Sequence, residues 1–493
     1  MSKFSETLND ILKANDISVY SLSKCSGVAR TSIYKYLNGK TLPKKEFLNS
    51  IIDILYLSTK QKKKLYELYK KEVYGEEVYL SLSKFKKFIE NLNQNSYNGE
   101  VEFLFNSFDV DRKEVFLDSS SSVQLYLRKI IENEMVKENQ TPTIYMIVQP
   151  NCKCLFDLLY SYVKNKNISI NINQIVSLEK RCEGKFSTGD NIDILSKLLV
   201  AAIFNQNINY NLNYFYENNV KENNFNKVFP YFVMAGSQIV FISHDYETGL
   251  YVKDKNLSNY LKEEYDRISE WCSKFINFKR GIADLIEFYR EIDQKNLNCS
   301  YVLGYQPYLS QFCTKEILIN KMDKKNSNFE KISGYIENRF DKEKEVLQEK
   351  SIVNYFTLEG LDYFCKEGKI DQFTGNLNIV FDKEEILYLI KCLYNAIKNN
   401  QIEAYIINTD SFKVPKNTVI TSYEFDYINI LYNDMTADNI TTSVIHEKGM
   451  TEIINYFFED LKTTDEVFGI DRSLEEIEKR IRMLEEWGEK CKI

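Results

Sequence analysis

The sequence predicts an all-α bundle at the N-terminus followed by a large mixed α/β region divided into two subdomains. Three observations predict it. Apolar residues recur at helical spacing through about the first 70 positions. Beyond them, short β-branched and aromatic runs alternate with amphipathic stretches, the pattern of α/β architecture. Charge divides at the same place. Residues 1–71 hold 14 Lys/Arg against 6 Asp/Glu, a net of +8, and the remainder holds 50 against 65, a net of −15. A polyanion is attracted to the first part and repelled by the second. The boundaries fall at 1–75, 76–310 and 311–493.

Composition excludes several classes. With 44% hydrophobic residues the chain can bury sizeable cores, and its 17 Gly and 6 Pro are too few for long disordered linkers. No apolar run reaches the roughly 18 residues of a membrane helix, and MSKFSETLND lacks the apolar stretch of a secretory signal. Ten scattered Cys form no disulfide framework, which places the expected environment in a reducing cytoplasm. Abundant Asn, Lys, Ile and Tyr point to an AT-rich, bacterial genome.

From Phe4 to Ala14, residues Phe4, Leu8, Ile11 and Leu12 share one helical face, and Asn15-Asp16 break the pattern. Ser18 is the N-cap expected of a second short helix carrying Leu22 and Cys25. Ser26-Gly27-Val28 follow, with Gly27 free to take the left-handed backbone of a tight turn. A third helix runs from Arg30 to Leu37 with Ile33 and Leu37 inward, and Asn38-Gly39 stop it. After Pro43 come a fourth amphipathic segment (Phe47, Ile51, Ile54, Leu55) and a fifth, Lys60 to Tyr69.

The run LSKCSGVARTSIYKYLNGKTLP resembles the Xre family of phage-repressor-like helix-turn-helix domains. Leu22, Ser23, Gly27, Val28, Ile33, Asn38-Gly39-Lys40 and Pro43 fall where that family has its core, turn and post-helix loop. Ser23 and Ser26 stand where Ala is usual, and Val19 where the family often carries a polar residue that contacts phosphate. The resemblance covers about 70 residues. It implies a double-stranded DNA operator and a recognition helix whose outward residues reach base edges in the major groove. Those residues are Ala29, Arg30, Thr31, Tyr34 and Lys35, with Asn38 at the end. Arg30 suits a bidentate contact with guanine, and Thr31 or Ala29 suits a thymine methyl. Ser18, Ser32, Lys40 and Lys44 suit phosphates.

Downstream, strands are expected at Glu114–Leu117, Thr143–Val148, Ile168–Ile172, Tyr231–Met234, Ile239–Ser243, Leu377–Phe381, Ala404–Asn408, Thr418–Thr421, Ile428–Leu431 and Thr442–Ile445. Residues 230–252 read as two or three adjacent strands turning at Gly236-Ser237. Helices are expected at Asn191–Phe204, from Asp382 with Glu385 completing a capping box, and from Ser473 to Trp487 with Ser473 and Glu476 as another. A long helical segment, Lys331 to Phe364, connects the two bodies, which divide near DKKNSNF (323–329). The tract 205–226, with ten Asn, reads as an exposed loop or a polar helix surface. No 34-residue repeat is present, which argues against a tetratricopeptide solenoid.

Catalytic patterns are sparse. With two His and no HExxH, Walker loop, GxSxG or GxGxxG, the sequence predicts no enzyme, metal or cofactor. His446-Glu447-Lys448 is similar to the start of a phospholipase-D-type HxK motif, but residue 453 is Ile where that motif has Asp, and no second copy follows. Cys152-Lys153-Cys154 is half a metal or redox site, better read as small residues at a helix start. His244 and Asp245 at a strand end read first as a hydrogen-bonded turn and second as a ligand contact. The expected function is a homodimeric, sequence-specific transcription regulator whose C-terminal region dimerises and senses a small molecule or peptide. The alternatives are an enzyme or defence effector with an autoregulatory helix-turn-helix, which a bound nucleotide or metal would favour, and an antitoxin-like interaction protein, which a stoichiometric partner would favour.

Overall fold

A computed structural model describes residues 2–92, 112–137, 140–150, 152, 155–159, 169–178, 191–196, 208–216, 228–322, 324, 329–346, 352–370, 379–434 and 439–490. The chain has an N-terminal helical region followed by a large mixed sheet with helices, and it divides into two compact units, Met1–Lys84 and Phe85–Ile493.

The first unit is built from α1 (Lys3–Ala14), α2 (Val19–Ser26), α3 (Arg30–Leu37), α4 (Lys45–Ile54) and α5 (Thr59–Tyr74), and α6 (Glu76–Asn91) spans the division. Ser2 opens α1 and Ser58 opens α5 with reciprocal capping boxes, completed by Ser5 and Gln61. Helices α2 and α3 have eight residues each, too short to persist alone. Burial holds them: Leu22, Ile33 and Leu37 join Phe4, Leu8, Leu12, Leu48 and Ile51 in one core. Full burial of such a side chain contributes about 1.5–3 kcal/mol. Asn9 Nδ2 adds a bond of 2.8 Å to Leu37 O, satisfying a carbonyl left over at the end of α3.

The second unit is organised by one 14-stranded sheet of order β1-β7-β6-β5-β2-β3-β4-β8-β14-β13-β12-β9-β10-β11. Its strands are β1 (Glu114–Leu117), β2 (Thr143–Ile147), β3 (Ile170–Leu178), β4 (Ile208–Tyr216), β5 (Tyr231–Ala235), β6 (Gln238–Ile242) and β7 (Gly249–Lys253), then β8 (Ser273–Arg280), β9 (Cys299–Gly304), β10 (Ile352–Thr357), β11 (Ile402–Ile407), β12 (Thr418–Tyr423), β13 (Tyr427–Asp434) and β14 (Asn439–Ile445). The order repeats: β1-β7-β6-β5-β2-β3-β4 is matched strand for strand by β8-β14-β13-β12-β9-β10-β11. Pairing sense repeats too, parallel within β2-β3-β4 and β9-β10-β11 and antiparallel elsewhere. Helices occupy matching places. Helix α7 (Ser120–Met135) follows β1 as α9 (Gly281–Gln294) follows β8, and α8 (Lys255–Trp271) follows β7 as α14 (Lys448–Leu461) follows β14. The second half also carries α10 (Lys315–Lys321), α11 (Phe329–Val346), α12 (Leu358–Glu367), α13 (Lys383–Lys398) and the terminal α15 (Ile470–Lys490).

Antiparallel pairing of β4 with β8 joins the halves, with Leu212, Asn213 and Tyr214 opposite Ile276, Lys274 and Ser273. The Arg280 guanidinium donates across the seam to Ile208 O. Tyr214 meets Phe275 edge-on at 5.6 Å. Tyr216 Oη donates to Glu447 Oε1 at 2.6 Å, and the same buried carboxylate caps α14 by accepting from the Gly449 and Met450 amides.

Several expectations are corrected. Residues 208–216, within the Asn-rich tract, form β4 in the middle of the sheet, not a loop or helix surface. The span from Lys331 to Phe364 is not one helix: β10, buried at all six positions, separates α11 from α12. Strand β3 extends to Leu178, beyond the expected end at Ile172. Residues 379–381 are not strand, and 377–378 lie outside the described residues. Ser473 lies inside α15, where its Oγ accepts from Ile406 N on edge strand β11 and donates to Phe468 O. The capping box at Asp382 and Glu385 forms as expected, as do the three strands of 230–252, with Gly236 at φ +60° in the turn. Most of 323–329, and residues 197–204 of the expected 191–204 helix, lie outside the described residues.

Removing the Tyr216 hydroxyl in Tyr216→Phe takes a donor from a buried carboxylate. The expected loss is about 1.5–3 kcal/mol of unfolding free energy. Urea denaturation measures it, and an unchanged midpoint would show that the bond contributes nothing.

Candidate nucleic-acid interface

The expected site residues lie on α2, α3 and the loop that follows. Gly27, at φ +70°, closes α2, donates its amide to Ser23 O and turns the chain into α3. A Cβ there would meet nothing within 4 Å, so backbone conformation alone favours glycine. Ser23 Oγ secures the turn by donating to Val28 O at 2.7 Å. On α3, Ile33 and Leu37 point into the core, while Arg30, Thr31, Tyr34 and Lys35 stand exposed on the opposite side with Asn38 beyond them. Ala29 precedes α3 without a side-chain cap, so the first amides of that helix have no competing side-chain acceptor. Ser18, Ala29, Lys40 and Lys44 are also exposed, and only Ser32 of the ten is half-buried.

One detail was not visible in the sequence, and one expected cap has a second consequence. Tyr20 on α2 is 57% exposed, and the Arg30 guanidinium lies 4.5 Å from its ring centroid. Stacking occupies the flat face of the guanidinium and leaves its in-plane donors available. The available signal was an aromatic residue in the first turn of a short polar helix. Ser18, expected at a phosphate, uses its Oγ to accept from Ser21 N at 3.1 Å. It is therefore a structural cap as well as an exposed hydroxyl.

The remaining candidates resolve differently. Ser243 Oγ donates to Asp245 Oδ1 at 2.6 Å, and the Glu247 amide donates to the same oxygen at 3.1 Å. That is the hydrogen-bonded turn, and it holds the Asp245 carboxyl below the usual range, chiefly through Ser243. His446 lies 4.4 Å from Tyr427, ring stacked on ring, with Nδ1 2.8 Å from Asp426 O. Glu447 is buried as the α14 cap. Cys152 is buried, and residues 153 and 154 lie outside the described residues. Among the described residues, no group of three or more His, Cys, Asp and Glu is placed to hold a metal ion, and no helix is long and apolar enough to cross a membrane.

No protein-family model matches the chain, and no curated protein matches it. Among solved structures it is similar to phosphatidylserine synthase of Haemophilus influenzae Rd KW20, at 9% identity and a TM-score of 0.26, over 77% of this chain and 93% of that one. It is similar to an archaeal chromatin protein at 13% identity and 0.22, over 52% and 88%. It is also similar to polyphosphate kinase of Porphyromonas gingivalis at 11% and 0.22, over 77% and 56%. At these scores the likenesses establish neither a family nor an activity.

Gly27→Ala forces an L-residue into a left-handed conformation and should cost about 1–2 kcal/mol. Ser18→Ala removes a cap and should cost about 1 kcal/mol. Thermal unfolding followed by circular dichroism checks both, and stability equal to wild type would refute the geometric account of this turn.

Proposed function

We propose that the chain is a sequence-specific DNA-binding transcription regulator. In this reading α2, Gly27 and α3 form the helix-turn-helix, and the larger unit senses an effector and dimerises. The observation that carries it is the surface of α3. Its two inward apolar residues lock the helix to the core, while Arg30, Thr31, Tyr34, Lys35 and Asn38 project at helical spacing from a segment of net charge +8. A merely solvated helix has no need of a guanidinium ordered on a tyrosine ring, because ordering a long side chain costs entropy. Arg30 and Thr31 are assigned to base edges and Ser32, Lys40 and Lys44 to phosphates, with Ser18 contributing its exposed hydroxyl. A single reading head spans few base pairs. Two copies related by a two-fold axis would contact half-sites about 34 Å apart, or a multiple of that spacing.

Selection from a random DNA pool by the purified full-length protein should enrich a palindrome. Arg30→Ala should then lose about 1–3 kcal/mol of binding and relax specificity at one position. Lys40→Ala should weaken all sequences alike and reduce the slope of log K against log salt by about 0.9. Binding that enriches no sequence and responds to salt alone would overturn the reading.

A further inference from the structure

The internal duplication provides a control for the chain's own polar residues. Landmarks fix the equivalence of positions. Thr421 and Val233 each lie two residues before the end of the strand leading into a hairpin turn, and Asn429 and Val240 each lie two residues into the strand that follows. Val444 and Tyr251 each stand three residues before the carboxylate that caps the next helix, Glu447 and Asp254. Cross-strand partners then align row by row. Asn354-Val302-Thr421-Asn429-Val444 in the second half corresponds to Gln174-Met146-Val233-Val240-Tyr251 in the first. Thr442, opposite Leu431, corresponds to Gly249, opposite Ile242.

The two halves use these positions differently. In the first, Val233 and Val240 are fully buried. Gln174 is satisfied there, donating to Val148 O and accepting from Tyr210 Oη. In the second half the same positions are Thr421, Asn429, Thr442 and Asn354, none more than 5% exposed. Asn354 Nδ2 and Oδ1, Thr421 Oγ1, Asn429 Oδ1 and Thr442 Oγ1 have no hydrogen-bond partner. All lie on one face of the sheet, because cross-strand partners and alternate residues share a face. Helix α9 packs over β8 and β14 on one side of this patch, and α12 and α13 pack over β10 and β11 on the other. The fold therefore does not require polarity on β12 and β13, since its other copy carries Val233 and Val240 there, and the polar residue it does place in this row, Gln174, is hydrogen-bonded. An unpartnered buried polar atom costs as much as a lost hydrogen bond, and five of them rival the net stability of a domain.

We infer that this patch on β10, β12, β13 and β14 is the effector site of the regulator proposed above, and that it takes a neutral, polyhydroxylated small molecule of about monosaccharide size. The groups supply both donors and acceptors, as a ring of hydroxyls requires. Charge argues against an anion: the ammonium at this face, Lys279 opposite Thr442, is matched by Glu291 with Nζ 3.1 Å from Oε1. Size follows from register. Thr421, Asn429 and Thr442 sit on three consecutive strands, β12, β13 and β14, two strand spacings or roughly 10 Å across, while Asn354 lies two strands beyond Thr421, past Val302, at the margin of the patch.

The test is thermal unfolding of the full chain with D-glucose, D-ribose and myo-inositol as probes, comparing wild type with Thr421→Val/Asn429→Val, which installs the first half's residues. At least one probe should raise the wild-type midpoint by about 2 °C or more, saturably, and should not shift the double variant beyond the general effect of a sugar. Without probe, the double variant should unfold at a higher temperature than wild type. Single Thr421→Val should show the same two effects at smaller size, which covers a double variant that fails to fold. Equal shifts in wild type and variant, or no shift with any probe, overturn the site. Valine variants that are less stable than wild type also overturn it, because internal water would then already satisfy these groups. The inference rests on the regulator reading only for the word effector. DNA selection on the same protein without sugar separates the two, since a palindrome without probe binding sinks the site alone and probe binding without a palindrome sinks the regulator alone.

Discussion

The pairing of β4 with β8 is the contact on which the larger unit depends, because each half would otherwise end in an open strand edge. A row of unpaired amides and carbonyls at such an edge invites association with other chains. Joining the two edges satisfies both rows and sets the position of everything attached to them. The register shifts at Leu212/Asn213, and side chains carry the join past that irregularity. Asn213 Nδ2 donates to Ser269 Oγ at 2.7 Å, and Tyr216 reaches the α14 cap. Burial lowers the affinity of the Arg280 guanidinium for its proton, yet an arginine keeps its charge in proteins, and here the charge is directed at a backbone carbonyl. Fourteen strands exceed the roughly ten at which open sheets usually curl or split. The sheet attains this number as two smaller ones sharing an edge.

Much of this architecture was legible in the sequence where the pattern was local. The capping box at Asp382, the hairpin at Gly236-Ser237 and the stop at Asn38-Gly39 each depend on a few adjacent residues. Missed elements failed for physical reasons. In β4, Ile208, Tyr210, Leu212 and Tyr214 alternate with Asn209, Asn211 and Asn213, a period of two hidden by the weight of asparagine. Those amides are not solvated loop groups, since Asn209 and Asn211 donate to Asn171 and Asn173 on β3 at 3.0 and 3.4 Å, a ladder between parallel strands. Strand β10 is buried on both faces and so shows no alternation. Its short apolar run, flanked by helical stretches, cannot be told from a helix by periodicity.

The outward surface of α3 was readable because inward and outward positions follow from helical spacing. Contacts between elements were not. The stacking of Arg30 on Tyr20 joins two helices across a turn, and neither residue alone announces it. Duplication was invisible for a related reason: the halves share strand order and pairing sense, while residues at matched positions differ even in polarity. At about 1–3 kcal/mol for each unpartnered buried polar atom, against a net stability of about 5–15 kcal/mol for a domain, the difference between Val240 and Asn429 is large enough to mark which half has taken on a task beyond holding its shape.

The far edge of the sheet bears on how copies of this protein can meet. Among the described residues strand β11 has no further strand of the sheet beside it, yet its end is closed from within: Ile406 N donates to Ser473 Oγ, Ile406 O accepts from Phe468 N, and Asn408 N donates to Glu466 O. Strand β1, at the opposite edge, has only four residues and begins at a charged one, Glu114. Among the described residues neither end offers a long, open template for another chain. Strand addition at either of these ends would meet an edge that is very short or already hydrogen-bonded from within, whereas helix surfaces present side chains that, unlike a backbone ladder, can choose their partner.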